Sequence, residues 1–405
     1  MKTPTGTKDR RSGLVVQSSA MALTRRDLGR LAVGVAAGRA VGLAAQTRPE
    51  YIGPLTGEER LEDRRFDPVV VARDRYAAAP RRLRFDARTP ADAQAWQMKL
   101  RAKLTELLGG FPDARTPLRP AVLETRSFGS YRREKIVFDS APGVSVLAYV
   151  LTPASVTTRV PAVICIPGHG RGVDDIVGID EQGRDRTDKA GYQHDFAIQV
   201  VEQGMAAVAI EPMGFGCRRD PRNAQKGLSQ KACEPVAGGA LMLGQTLIGW
   251  RVWDVMRTVD YIEARPDVDA SRVGCIGISG GGTATLFASA LEPRIRAAMV
   301  SGYLNTFRDS VGSLAHCVDN YVPGILNWAE MHDIAGLVAP RALFVESGER
   351  DAIFPIASSV ESYTQVRRIY DVLGAADRVE QEVFPGEHSF WGRRGLPFIA
   401  RHLKA

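Results

Sequence analysis

The chain has 405 residues, 44% of them apolar and 24% charged, a globular composition with length for one large α/β domain plus additions or for two ordinary domains. No uninterrupted apolar run is long enough for a membrane span and no repeat stands out, which excludes a multi-span membrane protein and a solenoid. The formal charge of +7 is concentrated in residues 1–45, which carry a net +6 and leave +1 for residues 46–405, so the main argument for a nucleic-acid partner falls away.

The first element is a leader. "TRRDLGRLAVGVAAGRAVGLAAQ" sets Arg25 and Arg26 ahead of an Ala/Gly-rich apolar stretch and ends in small residues near Ala44 and Ala45. It resembles a twin-arginine export signal. A periplasmic or secreted protein without a stable membrane span after signal removal is therefore expected; a disordered basic arm is the competing reading. Met21 stands just before the signal and is an alternative start.

Residues 46 to 88 are rich in Arg, Pro and Asp, show little periodicity, and read as an extended arm. "TPADAQAWQMKLRAKLTELLGG" follows. Thr89 is an N-cap, Pro90 suits the first helical position, and Trp96, Leu100, Leu104, Leu107 and Leu108 share one face before Gly109 and Gly110 stop the helix. Residues 46–125 thus form an amino-terminal arm and amphipathic helix, ahead of a domain at 126–405.

In that domain "EKIVFDS" and "VSVLAYVLTP" predict two strands around the turn "APG". "VPAVICIPG", "MAAVAIEP", "RVGCIGIS", "IRAAMVSG" and "RALFVES" are short apolar runs of the kind buried parallel strands require, and "VEQEVFPG" is a weaker last strand. Helical patterns separate them: "HDFAIQVVEQG", "LIGWRVWDVMRTVDYIEARP", "TATLFASALEP" and "ASSVESYTQVRRIYDVLG". The alternation predicts an α/β fold with a mostly parallel, doubly wound sheet that opens with an antiparallel pair. Ligands in such sheets bind at the carboxyl ends of the strands.

Chemistry-bearing residues fall at those ends. Ser279 lies in "GISGG", between a strand and a helix, which is the setting of a nucleophile elbow. Gly277 and Gly281 relieve the tight turn, and Gly280 can offer its N–H to an oxyanion at a helix N-terminus. A phosphate-binding loop is the alternative, but no G-x-x-x-x-G-K-[ST] pattern is present. A serine needs a base, and His388, in "FPGEHSFWG" after the last strand, has the best context of the six histidines. The orienting acid is expected in "ESGERDAIFP": Asp351 at the loop apex, with Glu349 as the alternative. The second oxyanion donor is expected from "ICIPGHGRG", as the N–H of His169 or Gly170.

Phe215 and Arg218 in "EPMGFGCRRD", and His316, Asp319 and Tyr321 in the segment after "IRAAMVSG", are expected to line the pocket. Arg218 and Arg219 read either as a solvated rim or as a preference for acidic sugars. His316, Cys317 and Asp319 are three potential metal ligands with no fourth nearby in sequence, so no metal, and no cofactor, is expected. The five cysteines match no zinc spacing: Cys165 and Cys275 lie in strand-like runs, while Cys217 and Cys233 flank a polar loop and an exported protein could join them.

Residues 126–405 resemble the α/β-hydrolase superfamily. "DYIEARPDVDASRVGCIGISGGG" is similar to the dienelactone hydrolase, acetyl xylan esterase and prolyl oligopeptidase branches, and "PGHGRG", "GFGCRRD" and "HCVDNYVPG" look closest to the bacterial acetyl xylan esterase-like group. The resemblance implies Ser279, Asp351 and His388 as a triad. Ser279 stands where dienelactone hydrolases proper carry Cys and where haloalkane dehalogenases and epoxide hydrolases carry Asp. The implied activity is a serine carboxylesterase acting on carbohydrate or other small esters. The alternatives are a prolyl oligopeptidase-type peptidase, for which residues 46–125 are too short to form a propeller, and a non-enzymatic binding module.

Overall fold

Buried β-branched runs became strands. The computed structural model describes residues 67–155, 158–224 and 232–404, so the leader and the start of the arm lie outside the described residues. The strands are β1 Ala121–Ser127, β2 Tyr131–Ala141, β3 Val144–Pro153, β4 Val160–Ile166, β5 Ala206–Ile210, β6 Val268–Ile278, β7 Ile295–Ser301, β8 Ala342–Gly348 and β9 Val379–Phe384. They form one sheet in the order β1-β2-β3-β5-β4-β6-β7-β8-β9. β1, β2, β3 and β5 pair antiparallel in turn, and every later pair is parallel.

Alternate residues of each central strand feed two separate cores, as the period of two demands. In β4, Ala162, Ile164 and Ile166 join one core while Val163 and Cys165 join the other. In β6, Val273 and Cys275 face the first core and Ile276 and Ile278 the second. The first core is covered by α2 Pro90–Leu107, α5 Leu247–Glu263, α6 Gly280–Leu291, α7 Met331–Gly336 and α8 Ile356–Val372; the second by α3 Phe196–Glu202 and α9 Gly395–Lys404. Both faces being covered explains why the parallel strands read as continuous apolar runs.

The amino-terminal part departs from an extended arm. Pro68–Ala77 is a helix, α1, started by Asp67, whose side chain accepts from the N–H groups of Val69 and Val70, with Pro68 at the first position. None of its residues is fully buried, so no hydrophobic stripe announced it. α2 behaves as its sequence predicts: Thr89 caps it, and Trp96, Leu100 and Leu104 enter the main core. Each such side chain contributes about 1.5–3 kcal/mol of burial. Buried Gln97 donates to the carbonyls of Gly336 and Ala339. Asp67–Ala405 is one compact unit.

β1 is a second departure: all seven of its residues are exposed, so its sequence had no inward face to reveal it. All five cysteines are free thiols. Cys165 and Cys275 are buried in β4 and β6 as expected. The Cys217–Cys233 bridge is not formed: Cys217 is exposed, whereas buried Cys233 opens α4, Cys233–Met242, and receives a hydrogen bond from Arg251.

Candidate active site

Ser279 bridges β6 and α6 with φ 56° and ψ −122°, a conformation that costs a non-glycine residue energy unless its surroundings enforce it. They do so here. The Ser279 N–H donates to the Ser301 carbonyl (3.1 Å), and its own carbonyl accepts from the Thr283 N–H (2.8 Å). A Cβ on Gly281 would overlap the Ile166 carbonyl, and one on Gly277 would overlap that of Gly281. The two flanking glycines are therefore steric requirements of the turn.

His388 lies in the loop between β9 and α9, and Asp351 in the loop after β8. His388 Nδ1 is 2.7 Å from Asp351 Oδ2. The other Asp351 oxygen accepts from the N–H groups of Ile353 (2.8 Å) and Phe354 (3.0 Å), which fixes the carboxylate. His388 Nε2 is buried without a hydrogen-bond partner among the described residues. The ring stacks with Tyr192 and with Phe354, each centroid 5.7 Å away. Glu349, the alternative acid, is exposed.

Buried Glu346 anchors the His388 loop. It accepts from Ser301 Oγ (2.7 Å) and from the N–H groups of Trp391 (2.9 Å) and Gly392 (2.8 Å). Burial pushes its carboxyl up to about 7. This residue was visible in the sequence only as an acid inside a strand.

The loop after β4 closes on the serine from the other side. A Cβ on Gly168 would stand 3.1 Å from Ser279 Cβ. The Gly168 N–H is spent on Gln193 Oε1 and the Arg171 N–H on Asp175, whereas the N–H groups of His169 and Gly170 have no protein acceptor among the described residues. The Tyr192 hydroxyl donates to the His169 carbonyl (2.7 Å), which orients that peptide.

These parts share one cavity of about 440 Å³, lined by His169, Tyr192, Ser279, Gly280, Ala315, His316, Cys317, Asn320, Ile353, Phe354 and His388. His316 lines this cavity; its ring packs on Phe354, and burial holds its pKa below the usual histidine value. The other expected pocket residues are corrected. Buried Phe215 packs behind His169 and under Arg251. Arg218 does not line this cavity: its side chain is largely buried against Asp254 (2.6 Å) and the Glu211 carbonyl. Asp319 is fully buried below the cavity, paired with Arg251. Tyr321 is half-exposed in a neighbouring groove with Val311 and Pro323. Tyr192, Ala315, Asn320, Ile353 and Phe354 were missed, because each reaches the cavity from a loop without periodicity.

The view that Cys317 and Asp319 lack further ligands nearby is also corrected. His316 turns to Ser310, and the fold instead brings His169 and Cys233 to them, with one ligand-type atom of each of these four residues within 4.8 Å of the others. Spacing could not reveal a cluster drawn from three distant segments.

A mostly parallel sheet with a serine on a strained strand–helix turn, and an acid and a histidine on later strand ends, defines an α/β-hydrolase fold. The chain belongs to the Abhydrolase family, whose Abhydrolase_7 model matches residues 70–386. It is 26% identical over 286 residues to "Putative hydrolase YtaP" of Bacillus subtilis, covering 68% of this chain and 89% of that one. A stretch of 151 residues is 28% identical to 4-O-methyl-glucuronoyl methylesterase 1 of Sodiomyces alcalophilus, covering 31% of this chain and 30% of the relative. Among solved structures, a putative acetyl xylan esterase from Bacteroides fragilis superposes with TM-score 0.67 at 21% identity over 80% of this chain and 84% of its own. A glucuronoyl esterase from Solibacter usitatus superposes with TM-score 0.55 at 18% identity over 77% and 94%.

Proposed function

We propose that this protein is a serine carboxylesterase that works through an acyl-enzyme. The observation that carries the reading is the Asp351–His388 pair at 2.7 Å, whose His388 lines the same cavity as Ser279 and keeps a buried Nε2 with no partner among the described residues. With Nδ1–H donated to Asp351, Nε2 is the basic nitrogen. It takes the Ser279 proton as Oγ attacks the ester carbonyl, then gives that proton to the leaving alcohol. The Gly280 N–H, with that of His169 or Gly170, stabilises the oxyanion, each such donor being worth about 10²–10³ in rate. Water activated by Nε2 then releases the acid.

Small neutral acyl groups fit this cavity best. Ile353, Phe354 and Ala315 give it apolar wall, and among the described residues none that lines it is Arg or Lys, which favours a neutral acyl group over a uronate carboxylate. The structural neighbours, a putative acetyl xylan esterase and a glucuronoyl esterase, support a carbohydrate ester as the class. The leader supports action outside the cytoplasm. A panel of acetylated xylan and pectin fragments, methyl uronates, feruloyl esters and simple short-chain esters tests the reading: acetyl esters should be turned over with the highest kcat/KM. A preference for methyl uronates or for proline-containing peptides contradicts it.

A further inference from the structure

Behind the oxyanion loop, His169 from the segment after β4, Cys233 from the start of α4, and Cys317 and Asp319 from the segment after β7 converge so that one ligand-type atom of each lies within 4.8 Å of the others. His169 Nε2 is 3.6 Å from Asp319 Oδ2 and 3.9 Å from Cys233 Sγ. Donors around a tetrahedral zinc ion, with bonds of about 2.0–2.3 Å, stand about 3.3–3.8 Å apart. Cys233, Cys317 and Asp319 are buried. We propose that these four side chains hold a structural zinc ion or a similar thiophilic divalent cation.

A plain ion pair between Arg251 and Asp319 accounts for only part of this arrangement. It does not explain why two thiols and an imidazole from separate segments gather beside that carboxylate. The fully buried Arg251 is also held by the Met213 carbonyl (2.9 Å), lies over Phe215, and donates to Cys233 Sγ (3.2 Å). Those contacts suit a group that hydrogen-bonds to metal ligands from outside. The charges agree. Zinc with two thiolates, one carboxylate and a neutral imidazole carries −1, which the guanidinium cancels, so the filled site buries no net charge. Each protonated thiol that binds gives up its proton, Zn²⁺ + 2 RSH → Zn(SR)₂ + 2 H⁺ when both start protonated. With four protein ligands the site is closed and performs no chemistry. It would fasten the oxyanion loop and the Cys317 wall of the cavity to α4; the His169 ring already abuts Gly280, where a Cβ would stand 2.7 Å from His169 Cε1.

The test uses the full chain, purified without chelator, beside its Ser279→Ala variant. Elemental analysis should find one zinc per chain in both, so the result stands whether or not the protein is an esterase. Replacement by cobalt should give the intense visible bands of a tetrahedral site and sulfur-to-cobalt charge transfer in the near ultraviolet. Removal of the metal should free two further thiols to a thiol reagent in unmutated protein, and Cys317→Ser should lower the bound zinc to a small fraction of an equivalent. Absence of stoichiometric metal, a weakly absorbing cobalt form, metal retained by the Cys233→Ser/Cys317→Ser double variant, or a Cys233–Cys317 disulfide in metal-free native protein would each overturn the proposal.

Discussion

Asp351 and His388 come from loops after adjacent parallel strands, β8 and β9, and meet at 2.7 Å between Oδ2 and Nδ1. Asp351 Oδ1 is occupied by the N–H groups of Ile353 and Phe354, so only Oδ2 can serve the imidazole. Asp351→Asn should keep its carbonyl oxygen on those N–H groups and turn its NH₂ to His388. The ring would then carry its proton on Nε2, where it cannot accept one from Ser279. Turnover of p-nitrophenyl acetate should fall by about 10²–10⁴ with an unchanged circular dichroism spectrum.

The elbow glycines should be intolerant for a backbone reason. In Gly281→Ala the new Cβ meets the Ile166 carbonyl, which belongs to a central strand and cannot move alone. Urea unfolding should show a loss of about 2–3 kcal/mol or more, with loss of activity. Gly239→Ala in α4, where a Cβ meets nothing within 4 Å, should instead gain about 0.5–1 kcal/mol.

Burial raises the Glu211 carboxyl to about 8, and the N–H groups of Val173 (3.0 Å) and Cys217, with the Arg218 charge, offset only part of that effect. Folded Glu211 therefore binds its proton more tightly than the unfolded chain does. Its penalty is absent below the ordinary value near 4.5, grows as pH rises, and levels off above about 8. Glu211→Gln should thus become progressively more stable than the parent between pH 5 and 8, by on the order of 1 kcal/mol per pH unit at most. Paired urea titrations across that range measure it.

Replacing both Arg25 and Arg26 by Lys should leave the protein in the cytoplasm, as fractionation of a twin-arginine-competent bacterial host would report. Equal periplasmic yield from the two forms would remove the export reading.

Much of the centre of the molecule was legible because its physics is local. Gly277 and Gly281 around Ser279 declare a turn with no room for a Cβ, and β4 to β8 declare burial on two faces through their unbroken apolar runs. Chain order then left Asp351 and His388 as the partners that the fold does bring together. What was hidden had no local signature. β1 points no residue inward, α1 rests on a capping aspartate and a proline, and Arg218 is buried by a distant Asp254. Tyr192 and Phe354, which both stack with His388, come from separate loops. The cluster of His169, Cys233, Cys317 and Asp319 exists only once β4, α4 and the β7 segment are side by side.

The most direct measurement of the central claim is the mass of the covalent adduct formed with a fluorophosphonate probe, mapped by peptide, beside p-nitrophenyl acetate turnover. A single adduct on the Ser279 peptide is expected. Ser279→Ala should lose the adduct and about a thousandfold or more of the turnover. Full turnover in Ser279→Ala, or an adduct on another residue, would contradict the account.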